Sequence, residues 1–244
     1  MKAVLFFIKI ISVLLISQAA GSKTAASKPA AFQGGKIYEL NSNRKKLLFT
    51  LNAKLRSPDK ETSIFFSSYL DTEQNEALTE EAVFNKFQLQ KYVIHQSQLN
   101  ETYELDVAEN KMTFLIVKNG HTEKKTRDLP VNLVIGPSFV PFLHQHWSEI
   151  QSGKKVLAQL AVLERMDTYS FEFEKLRDAK SGNEEAMLIR MKPSNSFVSA
   201  VVRPVYFVVK ADGSRIFELK GRMLPKQKVG GHWQDFEGEA VFSY

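Results

Sequence analysis

The sequence predicts a mainly β protein of the α+β class: an antiparallel, curved sheet or open half-barrel, with one amphipathic helix at about residues 138–151 packed on it. Three observations point there. Apolar and polar residues alternate with a period of two in most segments, as in "TYSFEF" from Thr168 to Phe173. Two dipeptides that favour tight hairpin turns, Asn119-Gly120 and Asp212-Gly213, follow apolar runs. One segment breaks this pattern with helical spacing.

In chain order, residues 1–20 read as a secretory signal: Lys2, the apolar run "AVLFFIKIISVLLI" and the small residues of "SQAA". Residues 21–35, "GSKTAASKPAAFQGG", carry too little apolar surface to fold and are expected to be a flexible leader. Residues 36–244 hold no linker or internal repeat and are long enough for one β-rich domain around a single core. Its strands begin with "KKLLFTLNAKL" (Lys45 to Leu55), the turn Ser57-Pro58-Asp59 and "TSIFFSSYL". Glu80 to Gln98 fits neither period. "ETYELDVAEN" and "KMTFLIVKNG" alternate again, "VYFVVKADGSRIFELKG" reads as a hairpin, and "EGEAVFSY" is a last strand. The helix is predicted from Phe139, Phe142, Leu143, Trp147 and Ile150, which make one apolar stripe. Ser138 is placed to cap it, Pro141 falls in its first turn and Gly153 can end it.

Charge and composition exclude several classes. The 33 basic and 27 acidic residues give +6, or +4 without Lys2 and Lys9, spread along the chain. The densest cluster, "HTEKKTRD" from His121 to Asp128, includes two acids, so the concentrated basic stripe of a nucleic-acid binder is missing. The chain has no cysteine, and its fold must stand on its core without disulfides. An exported protein in the periplasm of a Gram-negative bacterium is the simplest compartment that fits, with no integral membrane span once the signal is cleaved. His144 and His146 would point about 200° apart on a helix and cannot share an ion. No metal-ligand spacing, phosphate loop or nucleophile elbow is present, so no metal, cofactor or catalytic residue is assigned. A hydrolase assembled from scattered residues stays open as a third reading.

The aromatic residues offer more. The chain has 18 Phe, and outside the signal they recur at strand spacing, among them Phe65, Phe84, Phe87, Phe114, Phe171, Phe173 and Phe207. A greasy concave sheet partly covered by a helix suits an acyl chain or a hydrophobic peptide; alternatively the rings pack on one another and on the helix. The candidate ligand-binding set is Phe139, Phe142 and Trp147 from the helix with Arg165, Asp167, Tyr169, Phe171 and Phe173 from the facing strand. Arg165 and Asp167, two apart on that expected strand, would share a face and either pair with each other or hold a polar headgroup.

Residues 136–176 resemble a group of uncharacterised bacterial exported proteins. The resemblance is carried by Gly136 and Pro137, by Trp147, Ile150 and Gly153 at the end of the helix, and by Arg165, Asp167, Thr168 and Phe171. It implies export and no particular activity. The architecture as a whole is similar to periplasmic β-sheet carriers of the LolA kind, an analogy that no motif carries. The leading expectation is therefore a non-enzymatic envelope protein whose partner is a lipid, another hydrophobic ligand, or an envelope protein. A small outer-membrane β-barrel is the alternative, because "EAVFSY" ends on alternating aromatic residues.

Overall fold

The computed structural model describes residues 33–195, 199–200 and 202–244; the expected signal and most of the expected leader lie outside them. Strands β1 (Gly34–Glu39), β2 (Leu47–Arg56), β3 (Thr62–Asp71), β4 (Glu76–Asn85), β5 (Gln88–Gln96), β6 (Glu101–Ala108), β7 (Lys111–Lys118) and β8 (His121–Asp128) form an unbroken antiparallel meander. The chain then crosses to β9 (Leu133–Val134) and to two short helices, α1 (Phe139–Gln145) and α2 (Trp147–Gln151). A second meander follows: β10 (Val156–Val162), β11 (Asp167–Ser181), β12 (Glu184–Pro193), β13 (Val205–Lys210) and β14 (Ile216–Arg222). A small ribbon, β15 (Gln227–Val229) with β16 (His232–Gln234), precedes β17 (Glu237–Ser243), which lies between β14 and β1 and joins the two meanders into one fifteen-stranded sheet.

The sheet is open: β8 and β9 are its two ends, and no ladder joins them. It is nevertheless forced to curl. Laid flat, fifteen strands would be about 70 Å across. Yet Asp128, which ends β8, and Leu133, which starts β9, are five residues apart in the chain. Even fully extended, that link spans at most about 18 Å. The two ends of the sheet must therefore come close, and its inner face closes on itself. Register shifts at Ile37/Tyr38, Tyr69/Leu70, Val83/Phe84, Lys175/Arg177 and Val208/Val209 supply the bends.

The buried residues form one cluster that draws on both meanders and on the helices, from Phe49 and Leu105 to Phe173 and Phe207. Phe139 sits with its ring 5.9 Å from those of both Phe173 and Phe207, and Phe142 lies 5.1 Å from Phe173. The helical segment thus fills the closed side of the curl. It breaks at His146 (φ −102°, ψ 13°) into two short pieces. Ser138 does not cap α1 with its side chain; its Oγ accepts the N–H of Ile135 at the preceding 3-10 turn. Gly153, at φ +84°, ends the segment as expected.

Two further details depart from the sequence reading or sharpen it. The leader was expected to reach Gly35, but β1 starts at Gly34. A Cβ at Gly34 would stand 2.0 Å from the Leu51 carbonyl oxygen, and one at Gly35 would stand 2.7 Å from that of Val241, so these glycines let β1 fit between its neighbours. Asp212-Gly213 does turn between β13 and β14. Its glycine (φ +73°) also seats the Trp147 ring, which a Cβ would meet at 2.5 Å, while the indole N–H donates to the Ala211 carbonyl at 3.0 Å. Gly213→Ala should therefore destabilise the fold by about 2 kcal/mol or more, because strain and a clash coincide there. Chemical denaturation followed through Trp147 fluorescence checks it, and an unchanged midpoint would refute the seating.

Candidate functional site

The inner face changes chemistry at the end of the first meander. In the β7–β8 ladder Met112 is opposite Arg127, Phe114 opposite Lys125 and Ile116 opposite Glu123. Opposed residues share a face, so His121, Glu123, Lys125 and Arg127 project on the side where Met112 and Phe114 are buried. Across the gap the same alternation runs through β10 and β11, where Val162 faces Asp167, Leu160 faces Tyr169 and Ala158 faces Phe171. Asp167 and Tyr169 therefore lie on the core face, at the end of the row that Phe171 and Phe173 continue inward.

Side chains close the gap between the two ends of the sheet. The Arg127 guanidinium lies 3.2 Å from Asp167 Oδ2, and Lys125 Nζ lies 3.5 Å from the same oxygen. Asp167 Oδ1 accepts the N–H of Thr168 at 3.0 Å. Partial burial would raise the Asp167 carboxyl, but that N–H and the two cations hold it below its ordinary value. This corrects the expected geometry of Arg165. Arg165 belongs to the 3-10 turn Leu163–Arg165, and Met166 in the left-handed region (φ 49°) separates that turn from β11. Arg165 and Asp167 thus do not share a strand face, and Asp167 pairs with Lys125 and Arg127 of β8.

Two clefts open along this seam. One, of about 480 Å³, is polar and lies between the Asn119-Gly120 turn and the Leu163–Arg165 turn, with Lys118, His121, Glu123, Glu164 and Arg165 on its walls. Beneath it, charged groups are buried in balanced contact. Lys226 bonds to Asp235 and stands 3.6 Å from Glu164, the Arg222 guanidinium lies 2.6 Å from Asp235, and Glu101 accepts from Tyr103 and pairs with Lys118. The other cleft, of about 500 Å³, is a groove between α1, the β4–β5 and β6–β7 turns and the link from β8 to β9. Phe87, Leu89, Val107, Leu129, Leu133 and Phe142 are its apolar walls, the uncharged Gln88, Gln90, Asn132, Ser138 and Gln145 line the rest, and Glu109 is the one charged residue there.

The β4–β5 turn at the rim of this groove is unusual. Lys86 (φ 47°) and Phe87 (φ 70°) both occupy the left-handed region, where the β7–β8 and β15–β16 turns place Asn119-Gly120 and Gly230-Gly231. A bulky aromatic residue there costs roughly 1–2 kcal/mol, and Phe87 is also 41% exposed. Val131, 84% exposed, lies in the sequence between the groove residues Pro130 and Asn132.

The eight residues predicted from sequence divide accordingly. Phe139, Trp147, Phe171 and Phe173 are buried in the closed core; Phe142 is buried but reaches the groove; Arg165 lines the polar cleft; Asp167 and Tyr169 stand half-buried at the seam. Sequence reasoning missed Phe87, Lys125 and Arg127 as site residues. Among the described residues no group of three or more His, Cys, Asp or Glu is placed to hold a metal ion, and no helix is long and apolar enough to cross a membrane. Comparison with protein-family models, curated proteins and solved structures finds no match.

Deeper in the same half of the core lies Glu80, 1% exposed, whose carboxyl accepts from the hydroxyls of Ser67 (2.7 Å), Tyr69 (3.2 Å) and Tyr92. Burial pushes it up from 4.5 to about 7, against those three donors, which favour the anion. The folded chain therefore holds this proton more tightly than the unfolded chain does. That stabilisation is complete below the unfolded value and is lost as pH rises through about 7, a change of roughly 3 kcal/mol. Glu80→Gln should flatten the stability profile between pH 5 and 8 and make the variant the more stable protein at pH 8. Urea denaturation at several pH values checks this; parallel profiles for the two proteins would contradict it.

Proposed function

We propose that this is an exported, non-enzymatic protein that takes the apolar part of a small ligand into the groove beside α1. One observation carries the reading: a groove almost without charge is rimmed by Phe87, held exposed in a backbone conformation that costs the fold stability. Strain of this kind persists where it serves a function. The groove's size supports the reading too, since small-molecule pockets run from roughly 300 to 1,000 Å³. Elsewhere in the core the rings of Phe139, Phe173 and Phe207 pack on one another, and the enclosed space lined by Tyr92, Ile94, Ile135 and Leu163 is only about 20 Å³, too small for a ligand. Export is proposed from the signal-like composition of residues 1–20, and the absence of cysteine agrees with it.

The test uses a neutral fluorescent probe such as N-phenyl-1-naphthylamine, with the protein purified without detergent. The wild type should bind it. Phe87→Gly should weaken binding about tenfold, by loss of the ring's buried area, while stability stays unchanged or rises as the left-handed strain is relieved. Val107→Trp, which fills the groove from its β6 wall, should abolish binding. Wild-type protein that ignores the probe, or a Val107→Trp protein that binds it normally, would sink the proposal.

A further inference from the structure

We infer that the ligand is a single-chain anionic amphiphile, a fatty acid or alkyl phosphate, whose headgroup is held by Lys125 and Arg127. This rests on the groove reading above and adds the chemistry of the ligand's other end. The two sites are continuous along the chain, from β8 into the link that follows it. Leu129, a wall of the groove, follows Arg127 by two residues and Lys125 by four. At about 3.3 Å per residue, the cations stand roughly 7 and 13 Å from the groove's edge. Both project on the inner face, opposite the buried Met112 and Phe114. A chain lying in the groove thus points its polar end at two positive charges. The one charged groove residue, Glu109, lies beyond the other end of this run, in the β6–β7 turn.

Asp167 is the built-in competitor for this site. It offers one carboxylate oxygen to both cations, at 3.2 and 3.5 Å, leaving the trio one positive charge in excess. All three side chains remain 33–42% exposed. Ion pairs so exposed are weak and readily exchanged, whereas a carboxylate or phosphate that engages the Arg127 fork bidentately makes a stronger contact. The incoming headgroup replaces Asp167, which keeps its bond to the Thr168 N–H and turns to water.

The experiment is isothermal titration, below the critical micelle concentration, with dodecanoate, dodecyl phosphate and the non-ionic dodecyl maltoside. The anionic probes should bind about tenfold more tightly, with an advantage that shrinks in high salt. Asp167→Asn should tighten the anionic probes about threefold and leave the maltoside unchanged. Lys125→Gln combined with Arg127→Gln should erase the anionic advantage. If all three probes bind alike and Asp167→Asn changes nothing, the headgroup site is wrong while the groove reading stands. Should none of them bind, both fall. The single substitution at an exposed Asp167 keeps the test decisive even if the double variant fails to fold, which Trp147 fluorescence would reveal.

Discussion

A four-residue link governs this fold. The chain leaves one end of a fifteen-stranded sheet at Asp128 and enters the other end at Leu133, so the sheet cannot lie open. Everything else follows from that closure. The inner face becomes an interior and must be filled, which the phenylalanines and the two short helices do. The bends that allow it fall at irregular points of the ladders and not at proline or at chain breaks. The closure also stops short of a hydrogen-bonded barrel, because β8 presents charges to the gap and β9 is only two residues long. A spanning barrel requires every backbone group paired within it; among the described residues this sheet leaves its two ends without a shared ladder and fills its interior with side chains.

The interior is not uniformly apolar, and its polar groups are placed with different economies. Glu80 holds its proton because burial outweighs the three hydroxyls that would favour its anion. The Glu164–Lys226–Asp235–Arg222 cluster balances its charges pairwise beneath the polar cleft, where losing any one partner would strand another. At the seam, the charges of Lys125, Arg127 and Asp167 are half in water and bind one another loosely. Moving from Glu80 outward, each group is more hydrated and less costly to rearrange, so adaptability is concentrated at the rim.

Much of the fold was legible in the sequence, and what was not has physical reasons. Alternation in "TYSFEF" and "KMTFLIVKNG", and the turns at Asn119-Gly120 and Asp212-Gly213, gave strands and hairpins close to where they lie. Glu80 to Gln98 resisted because a register shift at Val83/Phe84 breaks the period within β4 and because Lys86-Phe87 lacks the residues by which a tight turn is known. β8 was read as a charge cluster: an end strand that is mostly exposed needs no apolar face, so nothing alternates in hydropathy. The aromatic rule found the core and, through Phe142 alone, touched the groove. Arg165 was misplaced because left-handed Met166, a conformation no residue type announces, inserts a turn before the strand. The seam depends on residues some forty positions apart, and no local pattern records such a meeting.

The pairing of β1 with β17 has a consequence for how the molecule is made. Ile37 meets Ala240 across about two hundred residues of sequence. Until β17 has been synthesised, β1 has a bare outer edge and the second meander has nothing to attach to. Such long-range pairing makes assembly slow and leaves edges exposed while it waits. A chain of this topology is kept from completing its fold during its own synthesis, which would leave it threadable through a narrow pore for as long as its final strand is withheld.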